Sequence, residues 1–352
     1  MRHRIGLIGC GNIAGAWLKA VGEHPDCDLA VTFDLDPEAA RARAEEAGAR
    51  AVTRLEELLD SDVDVVVIGT PTPSHPELAA SAAEAGKHVL CEKPMALDLA
   101  SCRGMIEVCE RAGVKLAIGH TIRFFGTYRT VRRLVAEGAI GEPVSGGFDR
   151  MGRSAKRSSG EAAPRTGHWR ESPANSGGRV LESFIHELDC SRAVFGRVAS
   201  VSAEIAGNQP HGDWMSPQVV CGLVRFESGG LVTARTGSTV GLPTRGHWIA
   251  GTEGGMRFDA WGQPVVLCRS GAEEPEEVPP EDGANAYLLE LADLLAAVRG
   301  EVEEPENSGR NGLENVGLGL AFYRSCELGR RIEFEDGLPD LPEDYRNTGF
   351  IF

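Results

Sequence analysis

Three groups of residues in this chain have the types and spacing that chemistry requires. Gly9-Cys10-Gly11-Asn12-Ile13-Ala14 follows the pattern G-x-G-x-x-G/A. In that pattern the first glycine permits a tight turn, the second lets the backbone approach a pyrophosphate, and the small last residue lets helix and strand pack closely. Asp34 stands twenty residues beyond Ala14, directly after the apolar run 29–33. A carboxylate there accepts hydrogen bonds from adenosine ribose hydroxyls and repels a 2′-phosphate. No arginine follows at Leu35 or Asp36, so the pattern predicts NAD in preference to NADP. The second group is Glu182, His186 and Asp189, spaced i, i+4, i+7. On an α-helix that spacing gives one face, where a carboxylate one turn away fixes a histidine's tautomer and raises its basicity. The same three residues also read as a core histidine paired with Glu182, or as a metal site. No further ligand set with metal spacing accompanies them, and no metal is expected. Third, Lys93 follows the apolar run 88–91, at the C-terminal end of a strand, where open α/β sheets bind ligands. Pro94 restricts its backbone to extended conformations.

The elements that must position these groups alternate through the first third of the chain. Residues 4–8, 29–33, 63–68, 88–91 and 115–118 read as strands. The unbroken apolar run 63–68 indicates a strand covered on both faces. Residues 13–21, 37–48, 76–85 and 99–112 read as helices, with Pro37 opening one and Gly48, Gly86 and Gly113 closing three. Such alternation predicts βαβ units with right-handed crossovers and a parallel sheet. Beyond Gly119, residues 128–137 and 180–195 read as helices. The intervening stretch 149–176 is polar and reads as irregular, and from Asp149 to Arg170 it carries six positive residues against two negative. Strand-like runs at 201–205, 219–226, 231–236, 248–250 and 264–267 are separated by glycine turns, including Glu253-Gly254-Gly255. Residues 273–282 read as an acidic loop, 287–298 and 313–330 as helices, and Phe350-Ile351-Phe352 as an apolar tail able to dock on the body or on a subunit. The predicted fold class is α/β: an N-terminal Rossmann doubly wound parallel sheet, plus a C-terminal α+β domain with an open, mainly antiparallel sheet. The expected domains are 1–122 and 123–352, with the late helices and tail able to pack back on the first.

Composition excludes several function classes. The net charge is −16 and the pI about 5.1, which disfavours nucleic acid or an anionic membrane as the main partner. Nine cysteines include no C-x-x-C pair, so they read as reduced, mostly buried thiols of a cytoplasmic protein. No apolar run approaches the ~18 residues that a membrane helix needs. Arg2-His3-Arg4 followed by Ile5-Gly6-Leu7-Ile8-Gly9-Cys10 mimics a lipoprotein signal. Its apolar stretch is shorter than the ~7–15 residues of a signal core, and a strand entering a glycine turn accounts for it better.

Further segments carry a family resemblance. Gly69-Thr70-Pro71-Thr72-Pro73-Ser74-His75, Glu84-Ala85-Gly86-Lys87-His88-Val89-Leu90-Cys91-Glu92-Lys93-Pro94-Met95, Gly119-His120-Thr121-Ile122-Arg123-Phe124, the segment from Ser176 to Asp189 and Ala321-Phe322-Tyr323-Arg324-Ser325, together with the glycine turn, resemble the Gfo/Idh/MocA family of oxidoreductases. The resemblance covers nearly the whole chain. It implies an NAD-dependent dehydrogenase or reductase of sugars, cyclitols and related polyols, working without a metal. It also implies an open second-domain sheet with one face near the cofactor and the other at a subunit interface, in a homodimer or homotetramer.

The resemblance extends to single residues. It implies Lys93 and His186 as the acid–base pair on the reacting hydroxyl, and a peptide before Pro94 that is cis in many relatives. Glu182 departs from the aspartate that many members carry there; its extra methylene suits it to orienting His186. Asp189 either binds substrate or belongs to an interior polar network. Thr70, Thr72 and His75 are expected along the cofactor path, Glu92 at the nicotinamide ribose, and His120 and Arg123 in the crevice between domains, with Arg123 toward substrate. Trp169-Arg170 resembles a pair near the nicotinamide, although a loop tryptophan packed on the sheet is an alternative. His168, Asn175 and Ser176 could bind a polyol; Tyr287 reads as a core tyrosine. The basic stretch reads as a solvated loop or, less simply, as a site for an anionic sugar. Two rival classes share this fold: a glycoside-cleaving enzyme that retains NAD and uses transient oxidation, and a non-catalytic sensor. A sensor has no need of a proton relay, so Lys93 and His186 together speak against it.

Overall fold

The structure, a computed structural model, describes residues 2–153, 170, 172–206, 219–239, 245–258, 262–281 and 283–347. It divides into two compact units. One comprises Met1–Phe124 and Ala284–Leu313, the other Phe125–Gly283 and Glu314–Phe352.

In the first unit, β1 (His3–Ile8) leads through α1 (Ala14–Glu23) to β2 (Cys27–Phe33), and α2 (Pro37–Ala47) leads to β3 (Arg50–Val52). Then come α3 (Leu55–Leu59), β4 (Val65–Ile68), α4 (His75–Glu84), β5 (His88–Cys91), α5 (Leu99–Ala112) and β6 (Leu116–Ile118). All six strands are parallel, in the order β3-β2-β1-β4-β5-β6. Helices cover both faces, so every residue of β4 is fully buried, as its unbroken apolar run requires. Local sequence sets the helix ends. Asp36 caps α2 by accepting from Glu38 N (3.0 Å), and Asp98 caps α5 by accepting from Ser101 N (2.6 Å). Gly48 and Gly113 close the same helices in the left-handed conformation. The short elements β3 and α3 fall where the sequence showed no periodicity, being too brief to display one. A helix from late in the chain, Ala286–Val298, contributes Leu291, Leu294 and Leu295 to the core beneath α1.

The second unit holds α6 (Gly126–Ala136), β7 (Pro143–Arg153), α7 (Pro173–Ser176), a π-helical turn at Val180–Phe184, α8 (Ile185–Phe195), β8 (Val198–Ala206), β9 (Val219–Phe226) and β10 (Leu231–Thr239). It continues through β11 (Arg245–Gly251), β12 (Gly254–Phe258), β13 (Val265–Arg269) and β14 (Glu276–Val278). The Ala286–Val298 helix of the first unit is α9; α10 (Gly309–Leu328), β15 (Ile332–Glu335) and β16 (Leu338–Pro339) follow. Among the described residues the strands run β14-β13-β12-β11-β7-β10-β9-β8-β15-β16. The pairing is antiparallel except between β7 and β10.

Three expectations are corrected here. Residues 149–153 are not irregular but end the strand β7, whose polar, glycine-bearing sequence hides it. Gly147 faces Trp248 across the ladder, and a Cβ there would stand 2.2 Å from the indole nitrogen. Gly254-Gly255 belongs to β12 rather than to a turn, and part of the acidic loop forms β14. Register gives the sheet two different faces. Val224, Val232, Phe148, Ile249 and Met256 are buried on one. On the other, Leu223, Thr233, Gly147, Trp248 and Arg257 form one row, and Glu204, Cys221, Arg235 and Asp149 the next.

Burial pulls His24, His75 and His88 below the ordinary histidine pKa. The unfolded chain therefore binds more protons than the folded one as pH drops through 6.5, the ordinary value. Stability present at neutral pH should be lost on acidification through that window. Urea midpoints should be lower at pH 5.5 than at 7.5, well above the carboxylate range, and a His75→Gln variant should show a shallower difference.

Candidate active site

The glycine turn is built on backbone contact. Gly9 has φ +92°, and a Cβ there would stand 2.8 Å from the Gly69 carbonyl carbon and 2.9 Å from Thr70 Cγ2. The turn after β1 is thus pressed against the turn after β4, at the point where the strand order reverses and ligands of open α/β sheets bind. Asp34, at the end of β2, accepts from Cys10 N (2.7 Å) and Asp36 N (2.8 Å), which aims its half-buried carboxylate at the same turn. Gly11 and Asn12 are exposed, and a Cβ on Gly11 would meet nothing within 4 Å. No side chain caps α1 and no acidic residue lies in its first turn. The positive end of a helix and an open approach over Gly11 suit a pyrophosphate, so the residues present fit a dinucleotide.

The pattern missed Arg43. From the middle of α2 its Nε reaches Cys10 O (3.5 Å) and its Nη2 reaches Gly11 O (3.2 Å), while Nη1 pairs with Glu46 (2.7 Å). It lies nine residues past Asp34, and only the packing of α2 beside α1 brings it to the turn. Burial pushes the Cys10 thiol up to about 12, with Asp34 adding to the rise and Arg43 opposing it, so both charges are felt at this one residue.

Register aligns the other loops of this sheet edge, since Ile8 pairs with Ile68 and Ile68 with Cys91. Glu92 and Lys93 therefore follow β5 two strands, about 10 Å, from the glycine turn. Lys93 is half-buried and its peptide to Pro94 is cis. Glu92 does not present its carboxylate to solvent. It accepts from the buried Trp17 Nε1 (2.9 Å) and from Lys93 N (3.3 Å), and is 8% exposed.

Several residues expected along the cofactor path or crevice are instead internal. Thr72 is buried. So is His75, whose ring nitrogens meet Thr70 O (2.9 Å) and Pro94 O (3.0 Å), tying the loop after β4 to the loop after β5. Thr70, half-buried, accepts from Ser74 Oγ (2.8 Å). His120 is fully buried. Arg123 is nearly so, its guanidinium taken by Asn311 (3.0 Å) and Glu306 (3.5 Å) of its own unit. Tyr287 packs edge-on against Trp17, with ring centroids 5.0 Å apart.

In the second unit the single helix expected over 180–195 is a π-helical turn followed by α8. The wider turn carries Glu182, so the constant angular step behind the one-face expectation does not hold across it. Glu182 pairs with Arg170 (3.0 Å). His186 is half-buried. Asp189, buried on α8, accepts from Asn315 Nδ2 (2.5 Å); Asn315 Oδ1 accepts from Arg192 (2.6 Å), and Arg192 also pairs with Glu314. Asp189 is thus joined to a polar network of α8 and α10. Ser176 is buried, donating to Ser172 O (3.0 Å), and Asn175 is half-buried. Of the basic stretch, Arg150 pairs with the buried Glu187 (2.8 Å). Lys156, Arg157, Arg165, His168, Trp169 and the tail Phe350-Ile351-Phe352 lie outside the described residues.

Comparison with known proteins is consistent across the chain. A family model for an oxidoreductase family with an NAD-binding Rossmann fold matches residues 3–120, and one for the GFO/IDH/MocA C-terminal domain matches residues 128–257. The 1,5-anhydro-D-fructose reductase of Ensifer adhaerens is 32% identical over 96% of this chain and 100% of its own length. The inositol 2-dehydrogenase of Rhizobium meliloti is 28% identical over 94% and 99%. The crystal structure of aldose-aldose oxidoreductase from Caulobacter crescentus superposes with a TM-score of 0.84 at 24% identity, covering 95% of this chain and all of that one. That last likeness concerns the fold.

Removing the Asp34 carboxylate should weaken NAD binding. Loss of charge-assisted bonds to the ribose predicts an affinity roughly 10- to 100-fold lower for Asp34→Ala, measured by titration calorimetry. Unchanged affinity would show that the ribose lies elsewhere.

Proposed function

The chain belongs to the Gfo/Idh/MocA family, as an NAD-dependent oxidoreductase of sugars or cyclitols, and on that premise we propose that Lys93 and His186 form its acid–base pair. When bound, NAD supplies the hydride acceptor. Gly9, Gly11, Asn12, Ile13 and Asp34 hold its adenosine and pyrophosphate end. Lys93 exchanges the proton of the reacting hydroxyl, and His186 holds the same hydroxyl. The observation that supports this most is the shared sheet edge. Lys93 leaves β5 at the level where the glycine turn leaves β1, with Glu92 pinning the backbone between strand and lysine. Glu182 and Arg170 form a charged pair near the start of the helix that carries His186, and their role is to position it.

The substrate is a secondary alcohol or ketone of a sugar or cyclitol, the class spanned by the relatives named above. The exposed sheet face that carries Leu223, Thr233 and Trp248 suits contact with a second copy of the chain, giving a homodimer or homotetramer. Leu223 and Trp248 are large apolar side chains standing in solvent there. Nine free thiols and no membrane-crossing helix among the described residues agree with a cytoplasmic location.

A screen of cyclitols, sugars and anhydro sugars with NAD, followed by NADH absorbance, tests the reaction. Product without net NADH would point to transient oxidation instead. Positioned proton transfer contributes about 10²- to 10⁴-fold, so Lys93→Met should lower kcat by at least that range while NAD affinity stays within a few-fold; full activity would defeat the assignment. Light scattering should show Leu223→Glu shifted toward monomer, and an unshifted variant would place the subunit contact elsewhere.

A further inference from the structure

NAD preference is usually ascribed to two things at once, an acidic residue at the ribose and the want of a cation beside it. The structure contains the first and lacks the second condition. The peptide of Cys10 carries both charges: its N–H donates to Asp34, and its carbonyl accepts from Arg43. The guanidinium lies over Gly15, whose Cβ position is 3.7 Å from Nη1, and continues to Gly11 O. Neutral carbonyls and one carboxylate are its partners. That carboxylate, Glu46, is more than half exposed, and such a pair is weak and screened by salt. An incoming dianion can displace it.

We propose that Arg43 is a built-in partner for an adenosine 2′-phosphate, and that the Asp34 carboxylate alone keeps NADP out. The inference rests on the glycine turn holding the adenosine end of a dinucleotide. It assigns to Arg43 a function in cofactor specificity that the residues adjoining Asp34 do not suggest. Guanidinium–phosphate pairing is charge-assisted and geometrically specific. Removing the like charge at position 34 should therefore reveal it without adding any new cation.

The test uses the full chain and two nucleotide fragments that need no substrate, adenosine 2′,5′-bisphosphate and 5′-AMP. Affinities are measured by calorimetry for the wild type, Asp34→Ser and Asp34→Ser/Arg43→Gln, and each protein is described by the ratio of the two affinities. The ratio cancels general damage to the adenosine site. Asp34→Ser should raise the preference for the bisphosphate at least about 10-fold, the size of one charge-assisted hydrogen bond. The double variant should return most of that gain, and the gain should shrink as salt rises. Two results would overturn the proposal: no rise in Asp34→Ser, or an equal rise in the double variant. If the wild type binds neither 5′-AMP nor NAD, the cofactor site itself is misplaced and the inference falls with it. If NAD binds normally and only the ratio fails to move, Arg43 alone is misassigned.

Discussion

The site in the first unit depends on two backbone turns touching. Gly9 and Gly69 approach so closely that Gly9 tolerates no side chain: a Cβ there would stand 2.8 Å from the Gly69 backbone, while one on Gly69 would press on the Ile13 side chain at 3.0 Å. A Cβ essentially never sits as near another heavy atom as it would at Gly9, so a larger residue there must separate β1 from β4 at their C-terminal ends. Those ends are where the strand order reverses. The approach thus creates the crevice, directs Cys10 N toward Asp34 and leaves the first turn of α1 uncapped beside it. Cofactor geometry here is a packing consequence, set before any cofactor arrives.

Behind that contact, buried polar groups hold the neighbouring loops. Burying a carboxylate is tolerable only when it is well bonded. Glu92 is met by Trp17 and by the Lys93 amide. Glu290, 1% exposed, is met by Thr121 Oγ1 (2.5 Å) and Asn307 Nδ2 (2.6 Å). The Asn307 carbonyl in turn accepts from Ile118 N (2.7 Å). The two carboxylates fasten the loops after β5 and β6 to α1, to α9 and to the segment before α10. His75 makes the corresponding tie between the loops after β4 and β5. The edge that carries Gly9, Thr70 and Lys93 is therefore supported from within by side chains whose polarity would suggest ligand contact.

That arrangement explains what was legible in the sequence and what was not. The parallel sheet could be read because its strands are apolar runs and its helices end on glycines, both local signals. Asp34 could be read because the distance from glycine turn to second strand end is fixed by one βαβ unit. Arg43 could not, since its reach to Gly11 depends on the rotation of α2 against α1. Strand β7 escaped notice because its first half holds Gly146-Gly147, chosen to admit Phe195 and Trp248 rather than to favour a strand. Thr72, His75, His120 and Arg123 have the chemistry of ligand contacts. Whether such a group faces a ligand or a carbonyl of its own core is a question of burial, which residue type and spacing do not encode. The π turn before α8 belongs to the same class, because no local pattern in residues 180–184 distinguishes it from an α-helix.

The contrast between Glu92 and Lys93 shows how the core reaches the chemistry. They are adjacent and oppositely charged, and an isolated pair of that kind would simply be solvated. Here the glutamate is drawn inward by an indole N–H, the one polar group of a tryptophan otherwise packed in the helix–sheet core. Once its carboxylate is committed there, its second oxygen captures the next backbone amide. The lysine backbone is then fixed by three things at once: the end of β5, this amide bond and the proline that follows. A long, flexible side chain loses aim chiefly through its backbone and first torsions. By immobilising the backbone, the core limits where the ammonium can go.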